Sequence, residues 1–381
     1  MKIAVVSVGH TKFGKSNKNI GTLMFEASKQ ALDNANTDIK AIDAIYIANF
    51  SSSFSNQCHL PAVLASKFNI NKEIVRVESA CASGGLALKE AAIAILSKLY
   101  RVILVVGVEK MTGRSVKATT SILASAGSIE ERKHGATFPS LYALMAQRYF
   151  YEYGADEKHL ARIAVKNHRN ALYNPEAHFH KKITIEDVLN SKVIASPLKL
   201  FDCSPISDGA AAILLSTKEN ALKFTDKPIY LIGFGHDVDS VELFKREKLT
   251  TIPAVVRAAQ KAYKMSGVVP KDINVAEIHD CFTIAELIEM EDLGFCRKGE
   301  SKKMVEEGKT EINGSISINP SGGLKAKGHP IGATGISQVV EIFKQLRGEV
   351  LGKKQVSNAK VGLACNVGGS GGTCVVNIFS R

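Results

Sequence analysis

Between Lys2 and Lys110 the sequence switches repeatedly between two apolar periods, and this alternation limits the folds open to it. "KIAVVSVG" is a short apolar run with β-branched residues and reads as a strand. "LMFEASKQALDNA" spaces its apolar residues along one helix face. The pair repeats as "AIDAIYIANF" with "LPAVLASKFNI", then "EIVRVES" with "GGLALKEAAIAILSKLY", and the buried strand "RVILVVGVEK" closes the series. Strands alternating with helices predict an α/β sheet, with ligands near the strand ends. The alternation restarts near Pro228. "PIYLIGFGHD" and "DINVAEIHDCF" read as strands, "GSISINPSGG" as strand and turn. "IPAVVRAAQKAYKMSG", ending on a glycine cap, "TIAELIEMEDLG" and "GISQVVEIFKQLRG" read as helices. "KVGLACNVGGSGGTCVVNIF" is a glycine-rich turn between strands. A chain of 381 residues is too long for one simple core and suggests two domains or one duplicated architecture. "SACASGGLALKEAAIAILS" and "NPSGGLKAKGHPIGATGISQVVEIFKQL" share an outline, from strand through small residues into a long helix, as a weak internal duplication would. From about Met111 to Pro197 several helical pieces rich in His, Tyr and Lys form an insertion that could cover a site.

Several function classes lose ground on composition. No apolar run reaches about 18 residues, so no membrane span is expected. The opening "MKIAVVSVGHTKFG" reads as a first strand and turn, not a secretory signal, and a cytoplasmic setting is expected. Seven cysteines without a CxxC pair point to reduced thiols and no disulfide framework. His and Cys do not cluster at zinc-ligand spacing, so no metal is expected. The net charge of +12 could mark a nucleic-acid binder, yet no basic block is interleaved with aromatics. A polyanionic small molecule is the sharper reading. Neither a phosphate loop nor a GxGxxG between first strand and helix is present, which disfavours nucleotide hydrolysis and dinucleotide redox chemistry.

Four stretches could carry chemistry. In "VESACASGG", Cys81 falls where a strand yields to a helix. A helix N-terminus favours a thiolate and offers free N–H groups, so a nucleophile is expected beside the plainer reading of a small buried hydrophobe. In "NPSGGLKAKGHPIGATG", His329 sits between Gly328 and Pro330, as a base taking a proton from a thiol or carbon acid, or as a satisfied loop histidine. In "HDCF", strand alternation would put His279 and Cys281 on one face, and Asp280 would cap the next helix. "CNVGGSGG", Cys365 to Gly372, is either a flexible hairpin or a bare backbone lining a pocket.

Taken together, these stretches resemble the active-site loops of the thiolase family, in the family's order and over essentially the whole chain. "SPLKLFDCSPISDGAAA" is similar to the segment closing the family's N-terminal half. The HDCF form resembles the sterol-carrier-protein-2-like and archaeal branch. The likeness implies two βαβαβαββ halves in an α-β-α-β-α layered arrangement, at 1–225 and 226–381, with a helical loop domain inserted at about 112–198. It implies a homodimer or homotetramer, a possible complex with hydroxymethylglutaryl-CoA synthase and a small bridging protein, and no nucleic-acid or membrane partner. No cofactor is permanently bound; coenzyme A and acyl-CoA are substrates. Cys81 matches the acyl-accepting cysteine and His329 the histidine that activates it. The family's second cysteine falls on Asn366 here, so Cys281 is expected as acid/base, with Cys365 as the fallback. His279 would donate to a thioester oxygen, forming one oxyanion site with His329. The backbone N–H groups of Cys81 and Gly368, in the Asn366–Gly368 turn, would form the other. Phe282 would wall the pantetheine channel, and Phe54, Leu144 and Met145 would shape the acyl pocket. Acetyl-CoA C-acetyltransferase activity is the leading expectation. A longer-chain 3-ketoacyl-CoA thiolase, a ketoacyl- or hydroxymethylglutaryl-CoA-synthase-like condensing enzyme, and a non-catalytic acyl-CoA-binding scaffold are the rivals.

Overall fold

A computed structural model describes residues 3–350 and 352–381. Strands β1 (Ile3–His10), β2 (Ala44–Ala48), β3 (Glu73–Val77) and β4 (Val102–Glu109) fall on the predicted runs. A short hairpin, β5 (Val193–Ala195) with β6 (Leu198–Lys199), follows the helical insertion. β7 (Gly209–Thr217) completes the first half, and β8 (Ile229–Val238), β9 (Val275–Glu277), β10 (Ser317–Ile318), β11 (Val361–Gly368) and β12 (Thr373–Ser380) make the second.

The sheet order is β10-β9-β11-β12-β8-β1-β7-β4-β2-β3. β4, β2 and β3 run parallel, β7 runs against β4 and β1 against β7; β11, β9 and β10 run parallel, β12 runs against β11 and β8 against β12. The two halves therefore repeat one topology, and a short antiparallel seam between β1 and β8 (Ile3↔Leu231 to Val5↔Ile229) joins them.

Strand alternation sorts side chains into layers. Ile3 and Val5 of β1, Ile103 and Val105 of β4, and Ile213 and Leu215 of β7 pack with Leu88, Ile95, Val339 and Ile342 of two central helices, Ser83–Leu96 and Ile331–Arg347. Ala4, Val6, Leu104 and Leu214 turn the other way, onto Leu23, Met24 and Ala27 of the helix Ile20–Asn34. Both faces are covered, which is why these strands read as unbroken apolar runs. The helix Pro253–Ser266 covers the outer face of the second half, giving the layer order α-β-α-β-α. Each fully buried Leu or Ile contributes roughly 1.5–3 kcal/mol to this packing.

The central helices cross at two glycines. A Cβ on Gly84 would stand 2.8 Å from the Gly335 nitrogen, and one on Gly335 would stand 2.4 Å from the Gly85 nitrogen. Only bare backbone allows this approach. It brings the N-terminal ends of both helices, and the loops feeding them, to one place. Between β4 and β7 the insertion includes the helices Val116–Ala124, Phe138–Tyr153 and Glu157–Ala171.

Candidate active site

Cys81 lies two residues before the helix Ser83–Leu96, at the floor of a cleft of about 700 Å³. The turn is built tightly. Ala80 has φ +48°, a conformation that stores roughly 1–3 kcal/mol of strain. The Ser83 hydroxyl accepts from Ser79 N at 2.9 Å and donates to Ala80 O at 2.6 Å, and Glu78 accepts from Ala80 N at 2.6 Å. Burial pushes the Cys81 thiol up to about 12, against the pull of N–H groups from Gly369 and from Cys81 itself. The helix end thus does not give a resting thiolate. The outer backbone donor at the sulfur belongs to Gly369, one residue beyond the Gly368 expected.

His329 enters from the other central helix. Its Nδ1 lies 2.7 Å from Thr334 Oγ1, whose own proton goes to Pro330 O at 2.9 Å. Thr334 must therefore accept from Nδ1–H, and Nε2 keeps a free lone pair. Burial holds His329 down at about 3, so the ring is neutral. The Glu109 carboxylate anchors this helix start: it accepts from Gly332 N at 3.0 Å, Phe50 N at 2.9 Å and Asn49 Nδ2 at 2.8 Å.

β9 stops at Glu277, so His279 and Cys281 stand on a loop and not on one strand face. The loop is pinned by Cys281 N to His279 O, Ser204 N to Cys281 O, and His279 N to Glu289 Oε2 at 2.8 Å. Asp280 does not cap the helix Thr283–Asp292. Its carboxylate takes Leu324 N at 2.7 Å and Asn167 Nδ2 at 2.6 Å, close under Gly323, where φ is +58° and any Cβ would strike it. Asn366 organises the centre. Its Oδ1 accepts from Gly85 N at 3.0 Å, while its Nδ2 donates to Cys81 O at 2.9 Å and to His279 Nδ1 at 3.3 Å. Proton and donor are thereby assigned to His279 Nε2, which is buried without a partner. Burial keeps this imidazole, like that of His329, neutral.

The Cys81 sulfur and one ring nitrogen each of His279 and His329 lie within 4.8 Å of one another, with the two rings edge to face at 5.1 Å. The same three atoms could hold a soft metal ion only after the thiol lost its proton. Cys281 and Phe282 line the cleft beside Cys81. Burial pushes the Cys281 thiol well up, and the Tyr142 hydroxyl pulls it back. The Phe282 ring lies 4.6 Å from that of Tyr142, tilted by 30°. Cys365 stands apart from the cleft, in the core against Cys374 at 3.7 Å between sulfurs. Phe54 packs behind Cys81 with Phe50 and Met111, Met145 is core and Leu144 is exposed, so none of the three lines the cleft, whose apolar wall includes Leu123, Phe138 and Ile206. Tyr142 escaped the sequence reading, since nothing in its spacing marks it; Thr334 and Gly369 fall inside stretches that were marked, but neither stands out there by residue type. Glu109, an acid ending an apolar strand, carried a usable signal.

No helix among the described residues is long and apolar enough to cross a membrane. The N-terminal thiolase domain family matches residues 3–219, and the thiolase C-terminal domain-like family matches residues 235–381. The chain is 45% identical to an acetyl-CoA acetyltransferase of Methanothermobacter thermautotrophicus, over 100% of this chain and 99% of the relative. It is 34% identical to bovine sterol carrier protein 2, over 99% of this chain and 72% of that protein. Among solved structures, the Ltp2-ChsH2(DUF35) aldolase superposes with a TM-score of 0.86 at 25% identity, over 99% of this chain and 97% of that one. Matches through both halves, together with a relative this similar along its full length, make the chain a member of the thiolase family.

Proposed function

We propose that the protein is an acetyl-CoA C-acetyltransferase that makes and cleaves acetoacetyl-CoA through an acyl group carried on Cys81. The observation that carries this reading is the meeting of one thiol and two neutral imidazoles within 4.8 Å, with Cys81 and His329 lining the cleft and His279 buried behind them. The activity draws on both halves, 1–225 with its insertion at about 112–198, and 226–381.

In cleavage, the Cys81 sulfur bonds to the 3-keto carbon as its proton passes to His329 Nε2. The oxyanion takes hydrogen bonds from the N–H groups of Cys81 and Gly369, a reading supported by the contact both make with the Cys81 sulfur. The C2–C3 bond then breaks, and the electron pair moves onto the thioester as an enolate. His279 Nε2–H, a buried donor without a partner, supplies a hydrogen bond to that oxygen, with His329 beside it. Cys281 gives its proton to C2, and acetyl-CoA leaves. A CoA thiol then gives its proton to the Cys281 thiolate and attacks the acyl carbon; the Cys81 sulfur leaves and takes back the proton held on His329 Nε2, which restores both thiols and the neutral ring. Condensation is the reverse, with Cys281 removing the C2 proton.

The test is thiolysis of acetoacetyl-CoA, followed as loss of enolate absorbance, with Cys81→Ala as control. Retained turnover in that variant would overturn the nucleophile. A chain-length series of 3-ketoacyl-CoA substrates tests the acetyl preference. The unpaired outer edge of β3 supports a homo-oligomer, and the ChsH2(DUF35) partner of the Ltp2 aldolase supports a bridging protein between this enzyme and a synthase. A cytoplasmic setting belongs to the same proposal.

A further inference from the structure

Two side chains stand beside Cys281, and the proposed mechanism leaves both unused. The first is Tyr142, on the helix Phe138–Tyr153, which is buried and lines the cleft together with Cys281. Its hydroxyl meets two partners. It donates to Gly369 O at 3.1 Å, and it shares a hydrogen bond with the Cys281 thiol. A phenol has one proton to give. With that proton on Gly369 O, the contact with Cys281 runs from the thiol S–H to the Tyr142 oxygen. Once Cys281 has passed its proton to C2, the sulfur can only accept. The phenol proton is the one donor that the Tyr142 contact offers it, and reaching the sulfur means leaving Gly369 O.

The second is Arg246, which follows the turn Leu243–Lys245 and is only 9% exposed. Its Nε, Nη1 and Nη2 are all buried without a hydrogen-bond partner among the described residues. The guanidinium lies against the loop that carries Gly369. A Cβ on Gly371, where φ is +102°, would stand 2.9 Å from Nη2. Asp239, Glu131 and Asp292 face this cation at a distance, and none bonds to it. A buried, unpaired cation is costly and calls for a use. Among the groups acting on its charge Tyr142 is the strongest. Burial pushes the Tyr142 phenol well up, and Arg246 pulls it back down. A cation beside a phenol strengthens its O–H as a donor to an anion.

We propose that Tyr142 is a catalytic residue whose hydroxyl turns from Gly369 O onto the Cys281 sulfur when that sulfur becomes a thiolate, and that buried Arg246 is a positioning residue that favours this turned state. The inference rests on the thiolase reading, with Cys281 as its acid/base. No proton leaves Tyr142 in this step. Only its hydrogen bond changes hands, and Cys281 regains its own proton from the CoA thiol. When it does, the phenol returns to Gly369 O, beside the N–H that faces Cys81.

The experiment follows exchange of the acetyl-CoA methyl protons with deuterated solvent by NMR, beside kcat and KM for acetoacetyl-CoA thiolysis. Tyr142→Phe is expected to slow exchange and kcat about 10- to 100-fold, the weight of one hydrogen bond to a charged atom, with KM within about twofold of the parent. Arg246→Met breaks no side-chain hydrogen bond and should slow exchange about 3- to 10-fold. Arg246→Lys should restore most of that loss, because the charge returns. The two Arg246 variants carry the test even if Tyr142→Phe does not fold. Exchange at the parent rate in Tyr142→Phe overturns the inference. So does a raised KM at unchanged kcat, which would make Tyr142 only a wall of the cleft, or an Arg246→Lys enzyme as slow as Arg246→Met. A parent enzyme that neither exchanges these protons nor cleaves acetoacetyl-CoA would sink the thiolase reading instead.

Discussion

The resting state of Cys81 gives a measurable consequence. Burial pushes its thiol up to about 12 and holds His329 down at about 3. At pH 7.5 a thiol of that acidity is thiolate in only about 3 in 100,000 molecules, whereas a free cysteine near 8.5 is about one-tenth ionised. Burial disfavours both the Cys81 thiolate and the His329 imidazolium, so moving the proton from one to the other in the empty site is uphill. An ion pair is therefore not the resting form. The residue keeps partial contact with solvent through the cleft, where an alkylating reagent can reach it. The perturbation is pH, and the assay is iodoacetamide labelling of Cys81 read by peptide mass spectrometry, with free cysteine as the standard. Labelling should rise close to tenfold per pH unit from 7 through 9, without a plateau, and stay about 3,000-fold below free cysteine at pH 7.5. A plateau with a midpoint near 7 or lower would mean a thiolate already paired with an imidazolium, and would refute the resting state argued above.

Four further outcomes follow from the same contacts. Thr334→Val removes the acceptor that fixes the His329 tautomer and should lower kcat about 10- to 100-fold with little change in CoA affinity, while Thr334→Ser recovers most of it. Cys281→Ser should slow exchange of the acetyl-CoA methyl protons with solvent by about 100-fold or more, and Cys365→Ser should leave it near the parent rate; the reverse pattern would exchange their roles. Gly335→Ala forces a Cβ to within 2.2 Å of Asn366 Oδ1 and should cost at least about 1–3 kcal/mol in thermal or denaturant unfolding. Acid should destabilise the fold through His10 and His168, both held down to about 4 by burial. Between about pH 6.5 and 4 the unfolded chain takes up protons that the folded chain refuses, so stability present at neutral pH falls by up to about 3 kcal/mol per histidine across that window, measurable by urea titration at stepped pH.

The sheet was legible because its strands are covered on both faces: "RVILVVGVEK" and "AAAILLS" carry unbroken apolar runs wherever two helical layers enclose a strand. The "DINVAEIHDCF" run misled at its end. The strand stops at Glu277 because Asp280 and Glu289 bend the loop through backbone N–H contacts, which a period-two pattern does not encode. Cys81, His329, His279 and Cys281 stood out by residue type and glycine context. Their tautomers did not, because Thr334 and Asn366 fix them through contacts across the fold. The state of Cys81 was misread for a related reason: the helix end is visible in sequence, and the burial that outweighs it is not.

Because two touching glycine backbones set the separation of the central helices, they act as the jaws of a caliper, and the gap between sulfur and imidazole is whatever that caliper reads. A methyl group inserted in the jaws would not merely weaken the protein; it would widen the span across which a proton must hop. Heat tolerance in such an enzyme has to be gained at the outer helices or the surface, since the innermost joint has no slack to give.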